Sequence, residues 1–207
     1  MDSHVTEEIY HGHKKIHALT VVFMVILALL SACASLQTQP TADANTSQSQ
    51  TGLPELDVII AAALEGDAAK LRSLLEFTQT TCTFAEGLGG PPKCLRNEQE
   101  GAPVEVLPFL GPEGHFIRKE DIDTWAGLDV SALFAVYQVS ETAFSDENYP
   151  AGEYALVFID RPEMQTSTTL QVRQGRIVRI DSGFVYPPEI REDDVVRYLV
   201  PPNLISP

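Results

Sequence analysis

Three cysteines, Cys33, Cys82 and Cys94, are the residues of this 207-residue chain whose type and spacing point most directly to chemistry. Cys82 and Cys94 enclose the glycine- and proline-rich stretch "CTFAEGLGGPPKC". Zinc would need four ligands, a catalytic dithiol more often has two intervening residues, and a phosphate-binding loop needs a Gly-Lys-Ser/Thr sequence that begins a helix. A disulfide is the simplest interpretation, provided that the chain is exported.

Cys33 indicates that export. It follows two lysines, an apolar run from Ala18 to Leu30 and two small residues, which is the layout of a secretory signal. The sequence Leu30-Ser31-Ala32-Cys33 resembles the lipobox of bacterial lipoproteins. The resemblance implies cleavage before Cys33, a diacylglyceryl group on its sulfur and an acylated N-terminus, palmitate being one such acyl chain. An uncleaved transmembrane anchor over residues 16–36 is the alternative, since that stretch is just long enough to cross a bilayer.

With Cys33 acylated, two cysteines remain in an exported chain, and we predict that Cys82 and Cys94 form a disulfide. Closing a ring of this size is expected to stabilise the fold by about 3 kcal/mol on the chain-entropy model.

The chain divides into three predicted parts: a signal peptide over 1–32, the lipidated cysteine with a flexible polar tether over 33–53, and one globular domain over 54–207 with the disulfide loop at 82–94. The tether lacks large apolar residues and cannot bury enough surface to become ordered. As a random coil it would hold the domain on the order of 20 Å from the bilayer.

The charge balance is acidic, with 29 Asp and Glu against 14 Lys and Arg and a net charge of −15. Nucleic acid and anionic lipid both attract clustered basic residues. We therefore expect no nucleic-acid partner, and attachment to the membrane is expected to rest on the acyl chains at Cys33. The predicted location is the cell membrane, facing outside the cytoplasm.

The elements that position these residues follow from hydrophobic spacing. Apolar residues at helical spacing over 54–77, broken at Gly66-Asp67, predict a helix pair. "PVEVLPF" and "HFI" predict a hairpin, and "SALFAVYQVS", "YALVFID", "TTLQVRQ" and "RIVRIDSGF" predict four strands, the last two joined at Gln174-Gly175. "RKEDIDTWAG" predicts a short helix, and "PPEIREDDVVRYLVPP" a short C-terminal one. The expected class is α+β with a mostly antiparallel, curved sheet.

The segments "LDVIIAAALEGDAAKLRSLLEF" and "LQVRQGRIVRIDSGF" resemble the opening helices and closing hairpin of the nuclear transport factor two-like superfamily. The resemblance implies a cone-like fold in which a curved sheet wraps a helix and often encloses a pocket.

No catalytic residue, metal site or cofactor is predicted. His115 is the one histidine after Cys33, and a catalytic base needs an orienting partner that the sequence does not place. The acids of "EDID" and "REDD" are more typical of solvated helix ends than of converging ligands. No serine stands in a G-x-S-x-G motif. Aromatic residues could line an apolar pocket, although such positions usually form core: Trp125, Phe134, Tyr137, Tyr154 and Phe158.

These observations lead to the hypothesis of a membrane-anchored lipoprotein whose domain binds an envelope protein or a small ligand without catalysis. The alternative is a small enzyme of isomerase, dehydratase or hydrolase type, with a cone-shaped pocket that uses His115 or an acidic residue near Trp125.

Overall fold

Two short helices begin the part of the chain that is described. The computed structural model describes residues 51–87, 90–160 and 164–203, so the predicted signal peptide, Cys33 and most of the tether lie outside it. Helix α1 spans Pro54–Leu64 and helix α2 spans Ala68–Ser73. Proline suits the first turn of a helix, where its missing N–H has no intrahelical partner. The side chain of Asp67 caps α2 by accepting a hydrogen bond from the backbone N–H of Lys70 at 2.9 Å.

Eight strands form one sheet. In spatial order β1, β2, β7, β6, β5, β4 and β8 are neighbours, and β3 pairs with β2. The β2–β7 pair is parallel and the other strand pairs are antiparallel. The predicted α+β class with a mostly antiparallel sheet is therefore confirmed. The strands are β1 Thr78–Thr81, β2 Pro103–Leu110, β3 His115–Arg118, β4 Val130–Val139, β5 Tyr154–Asp160, β6 Ser167–Arg173, β7 Arg176–Gly183 and β8 Val195–Val200.

The helices cover one face of the sheet, which we call the inner face. Side chains alternate between the two faces of a strand, so in β6 Leu170 and Val172 join the inner core while Thr169 and Gln171 face the other way. The inner core combines apolar residues of both helices with those of the central strands. Its largest fully buried members include Leu56, Ile59, Leu71, Leu156, Phe158, Leu170 and Ile177.

The opposite, outer face is covered by a long connection. Strand β7 lies in the interior of the sheet and β8 at its edge, so the connection between them, residues 184–194, must cross β6, β5 and β4. We call it the crossover segment. Ile190 from this segment and Val195 pack against a second apolar cluster that includes Phe134, Tyr137 and Val157.

Both predicted hairpins are confirmed. Strand β2 pairs with β3, and β6 pairs with β7. Gln174 and Gly175, between β6 and β7, have φ values of +51° and +71°, the left-handed conformation that tight hairpin turns require. The four strands predicted between residues 130 and 183 are also present.

The predicted C-terminal helix is wrong. The acidic residues Glu192–Asp194 form one 3₁₀ turn, and Val195–Val200 is strand β8, paired with β4. The edge of β4 offers this segment backbone hydrogen bonds, and its β-branched valines favour a strand over a helix. The segment predicted as a helix after β3 is a 3₁₀ helix, Lys119–Thr124.

Candidate functional site

The predicted disulfide is confirmed. Cys82 and Cys94 are joined with an S–S distance of 2.04 Å. Cys82 is buried and packs with Val104 and Val106 of β2, so the covalent ring is attached to the sheet by apolar contacts as well as by the chain.

An ion pair fixes the ring from outside. The guanidinium of Arg118, on β3, donates to both carboxylate oxygens of Glu98 at 2.7 Å and to the carbonyl oxygen of Lys93 at 2.9 Å. The hydrogen bond from Arg118, followed by one from the backbone N–H of Leu95, holds the pKa of Glu98 below its ordinary value. One of these bonds, to the carbonyl oxygen of Lys93, holds the backbone of the ring itself, which is a structural role for Arg118.

The ring does not offer a metal centre. Among the described residues, Cys82, Cys94 and Glu98 are the one group of potential ligands whose atoms converge. The two sulfurs are bonded to each other, and the carboxylate pairs with Arg118, so none of the three has a free ligand position. The acids of the 3₁₀ helix that were weighed as metal ligands, Asp121 and Asp123, are exposed and are not part of this group.

His115 lies on the inner side of the sheet near the β2–β3 turn. Its ring stacks on Phe109 at 4.7 Å between centroids, and Phe109 in turn contacts Trp125 edge-on at 6.4 Å. Partial burial lowers the pKa of His115. Within the described ranges no carboxylate forms a hydrogen bond or ion pair with it, so the histidine–acid arrangement that would favour the enzyme alternative is missing from this part of the chain.

A hollow beside the ring is lined mainly by charged groups that pair with one another. It has a volume of about 450 Å³. Lys119 pairs with Glu105 at 2.9 Å, and Arg118 pairs with Glu98. Its charged groups are occupied by one another, which leaves little to recognise a ligand.

A second concavity lies on the outer face, between the sheet and the crossover segment, and we call it the crossover cleft. Its volume is about 190 Å³. Strands β4 to β7 form its floor, and the crossover segment with the last residues of β7 forms its wall. The lining residues are Tyr137, Val157, Ser167, Thr169, Asp181, Ser182, Gly183, Phe184, Val185, Pro188, Glu189 and Ile190.

The floor of the crossover cleft holds buried hydroxyl groups without protein partners. Tyr137 is 7% exposed and Ser167 is 4% exposed. No described residue makes a hydrogen bond to either hydroxyl or to that of Thr169, and neither buried oxygen is closed off from solvent. Buried polar groups are normally hydrogen-bonded. Because these hydroxyls have no partner among the described residues and remain open to solvent, they are free to bind water or a ligand that enters the cleft.

Carboxylates give the cleft a negative field. Burial raises the pKa of Tyr137 to about 12, and the carboxylates of Asp194 and Asp181 add to that rise because they disfavour a phenolate beside them. Asp181 is paired with Arg179. In the described part of the chain, Glu189 and Asp194 have no ion pair.

Apolar side chains surround the mouth of the cleft. Phe184 is 63% exposed and Val185 is 49% exposed. Tyr198 of β8 stands beside Tyr137 with ring centroids 6.0 Å apart. Exposed aromatic residues next to a polar pocket are typical of a binding surface.

No protein-family model, curated protein or solved structure matches this chain. The fold and site therefore define the protein only by class: an α+β protein with a mostly antiparallel open sheet, a disulfide-closed ring and a polar cleft on the sheet's outer face. Among the described helices, none is long and apolar enough to span a bilayer.

The sequence predicts the cysteine pair but not the cleft. It indicates Tyr137 only as one of several aromatic residues that could line a pocket, and it gives no sign of a role for Ser167 or Thr169. Their signal is the alternation in "STTLQVR", where polar residues fall on one face of a strand whose other face is apolar. That alternation alone does not reveal that another segment covers the polar face.

Proposed function

We propose that this chain is a membrane-anchored extracytoplasmic lipoprotein whose domain is a non-catalytic binding module, and that the crossover cleft is its binding site. The lipobox sequence at Cys33 and the polar tether support the anchoring. We also propose a cone-like curvature of the sheet, which the packing of α1 and α2 on its inner face supports.

The observation that carries the binding proposal is the pair of buried hydroxyls, Tyr137 and Ser167, that line an open cleft without a partner among the described residues. Both oxygens remain open to solvent, so a ligand that enters the cleft exchanges bound water for direct hydrogen bonds to groups that the sheet holds in place.

A matched pair of variants tests the proposal. Val185 at the cleft and Val58 on α1 have similar exposure, 49% and 42%, and each would be replaced by Arg in the full chain. A library of sugars, amino acids, amines, nucleosides and short peptides would be screened by ligand-observed NMR.

We expect at least one compound class to bind the wild type and the Val58→Arg variant, and to lose binding in the Val185→Arg variant. The proposal fails if no compound binds, or if every compound that binds does so equally to both variants.

A further inference from the structure

The polar side chains that line the crossover cleft are hydroxyls and carboxylates, all of which can accept hydrogen bonds, and none of them carries positive charge. None of its lining residues is Lys, Arg or His. Hydroxyl and carboxylate oxygens come from Tyr137, Ser167, Thr169, Asp181, Ser182 and Glu189. An ammonium group has three donors and no acceptor, so it matches these atoms, whereas an anion would meet no cation to balance it.

The charges around the cleft favour a cation. The carboxylate of Asp181 is shared between Arg179 and the side-chain amide of Gln171. Arg179 is fully engaged, because it also donates to carbonyl oxygens of the loop before β5. Glu189, which lines the cleft, and Asp194, whose charge acts on Tyr137, therefore make the local charge negative.

The remaining lining is apolar and suits an alkyl chain. Val157 and Ile190 lie within the cleft, and Phe184 and Val185 stand at its mouth. Long cationic side chains pack their methylene groups on apolar surface while the charged end finds polar partners. An aromatic ring at the entrance also attracts a cation to its face.

The volume restricts the ligand to something narrow. At about 190 Å³, the cleft is smaller than the roughly 300–1,000 Å³ typical of sites for drug-sized molecules. One extended chain with a small head group fits this size better than a fused ring system.

We infer that the crossover cleft binds a primary ammonium group on an aliphatic chain, with the hydroxyls of Tyr137 and Ser167 and the carboxylate of Glu189 as its acceptors. The inference rests on the proposed function. The ammonium can belong to a free polyamine or to a lysine side chain of a partner protein, since both present a primary ammonium group at the end of an aliphatic chain.

Calorimetric titration of the full chain in a nonionic detergent tests the inference. The probes are cadaverine, Nα-acetyl-lysine methylamide, and the neutral isostere 1,5-pentanediol. The variants are Tyr137→Phe, which removes the hydroxyl and keeps the ring, and Glu189→Gln. Glu113→Gln, an exposed acid in the β2–β3 turn, is the control for loss of one negative charge.

We expect both ammonium probes to bind and the diol not to bind. Tyr137→Phe and Glu189→Gln should each weaken binding about tenfold or more, since hydrogen bonds to charged groups are strong, and Glu113→Gln should leave the affinity unchanged. Tighter binding of the lysine derivative assigns the ligand to a partner protein, and tighter binding of cadaverine assigns it to a free polyamine.

The inference is overturned if the diol binds as well as the amines, if neither amine binds, or if Glu189→Gln and Glu113→Gln have equal effects. In each case the proposed function is judged separately by the Val185→Arg and Val58→Arg comparison, which does not depend on an amine.

Discussion

The guanidinium of Arg179 donates two hydrogen bonds to the carboxylate of Asp181, from Nε to Oδ1 at 2.6 Å and from Nη2 to Oδ2 at 2.9 Å. Both residues lie on the outer face of β7. The Nη1 atom of the same guanidinium donates to the carbonyl oxygens of Phe144, Tyr149 and Pro150 at 3.0–3.2 Å. One buried cation therefore holds a carboxylate at the cleft and also the loop between β4 and β5.

Arg179→Met is expected to destabilise the fold by about 3–5 kcal/mol, because it leaves Asp181 as an unpaired, largely buried charge. Urea unfolding of the full chain measures the change. Arg197→Met is the control, since Arg197 is exposed on β8 and makes one hydrogen bond to Gln138; its effect should stay within about 0.5 kcal/mol. Equal effects of the two changes would contradict this role of Arg179.

The Glu98–Arg118 pair is expected to make stability depend on acid pH. The folded-state pKa of Glu98 is lowered, first by the hydrogen bond from Arg118. An unfolded glutamate titrates at about pH 4.3. The stabilisation is therefore fully present above that pH and is lost as the pH falls through the lower folded-state pKa.

Urea unfolding of Glu98→Gln and wild type between pH 7 and pH 3 tests this dependence. The difference in stability should be largest near neutrality and shrink below about pH 4. Glu86→Gln, the same charge change within the ring, should follow the wild-type curve. If the difference in unfolding free energy between the wild type and Glu98→Gln did not vary with pH, the charge of Glu98 would not be the cause of the stabilisation.

Gly183 keeps the hydroxyl of Ser167 open to the crossover cleft. A Cβ atom on Gly183 would overlap the Oγ of Ser167. Gly183→Ala should therefore destabilise by about 1–3 kcal/mol through overpacking, and adding Ser167→Gly should recover part of the loss. Gly111→Ala, whose Cβ would lie 3.9 Å from the Cβ of Ser182, is the control, and urea midpoints are the measurement. An unaltered midpoint for Gly183→Ala would contradict this close packing.

Acylation is predicted at Cys33, which lies outside the described residues. Cells that express the chain and are fed an alkyne analogue of palmitate should label the wild type, whereas Cys33→Ala should lose the label. The Cys82→Ala/Cys94→Ala double variant should keep it, because those sulfurs form the disulfide. Label retained by Cys33→Ala would exclude the lipoprotein proposal.

Much of the sheet was predictable from local pattern, because β4 to β7 are rich in β-branched and aromatic residues and Gln174-Gly175 marks a turn. The disulfide followed from the number of cysteines. Strand β1, with the sequence TQTT, has no apolar signal and was not predicted. The sequence of strand β8 predicts a helix because the acidic turn before it resembles a helix start, whereas its stability as a strand comes from β4, more than fifty residues away.

The site required information that local pattern does not contain. Ser167 and Thr169 alternate with apolar residues, which identifies a polar face of β6. What makes that face a cleft is the order of the strands, with β7 inside the sheet and β8 at its edge. Strand order depends on pairings between distant segments, so neither residue could be assigned to a site from its neighbours in sequence.

The crossover segment is fastened at both ends to the same sheet, at Gly183 of β7 and at Val195 of β8. Lengthening or shortening it by a residue or two would widen or narrow the cleft while the register of the strands beneath stayed the same. On the proposed function, the length of one surface connection sets which ligands fit the cleft. Insertions and deletions in that connection are a route to a different binding preference that leaves the core intact.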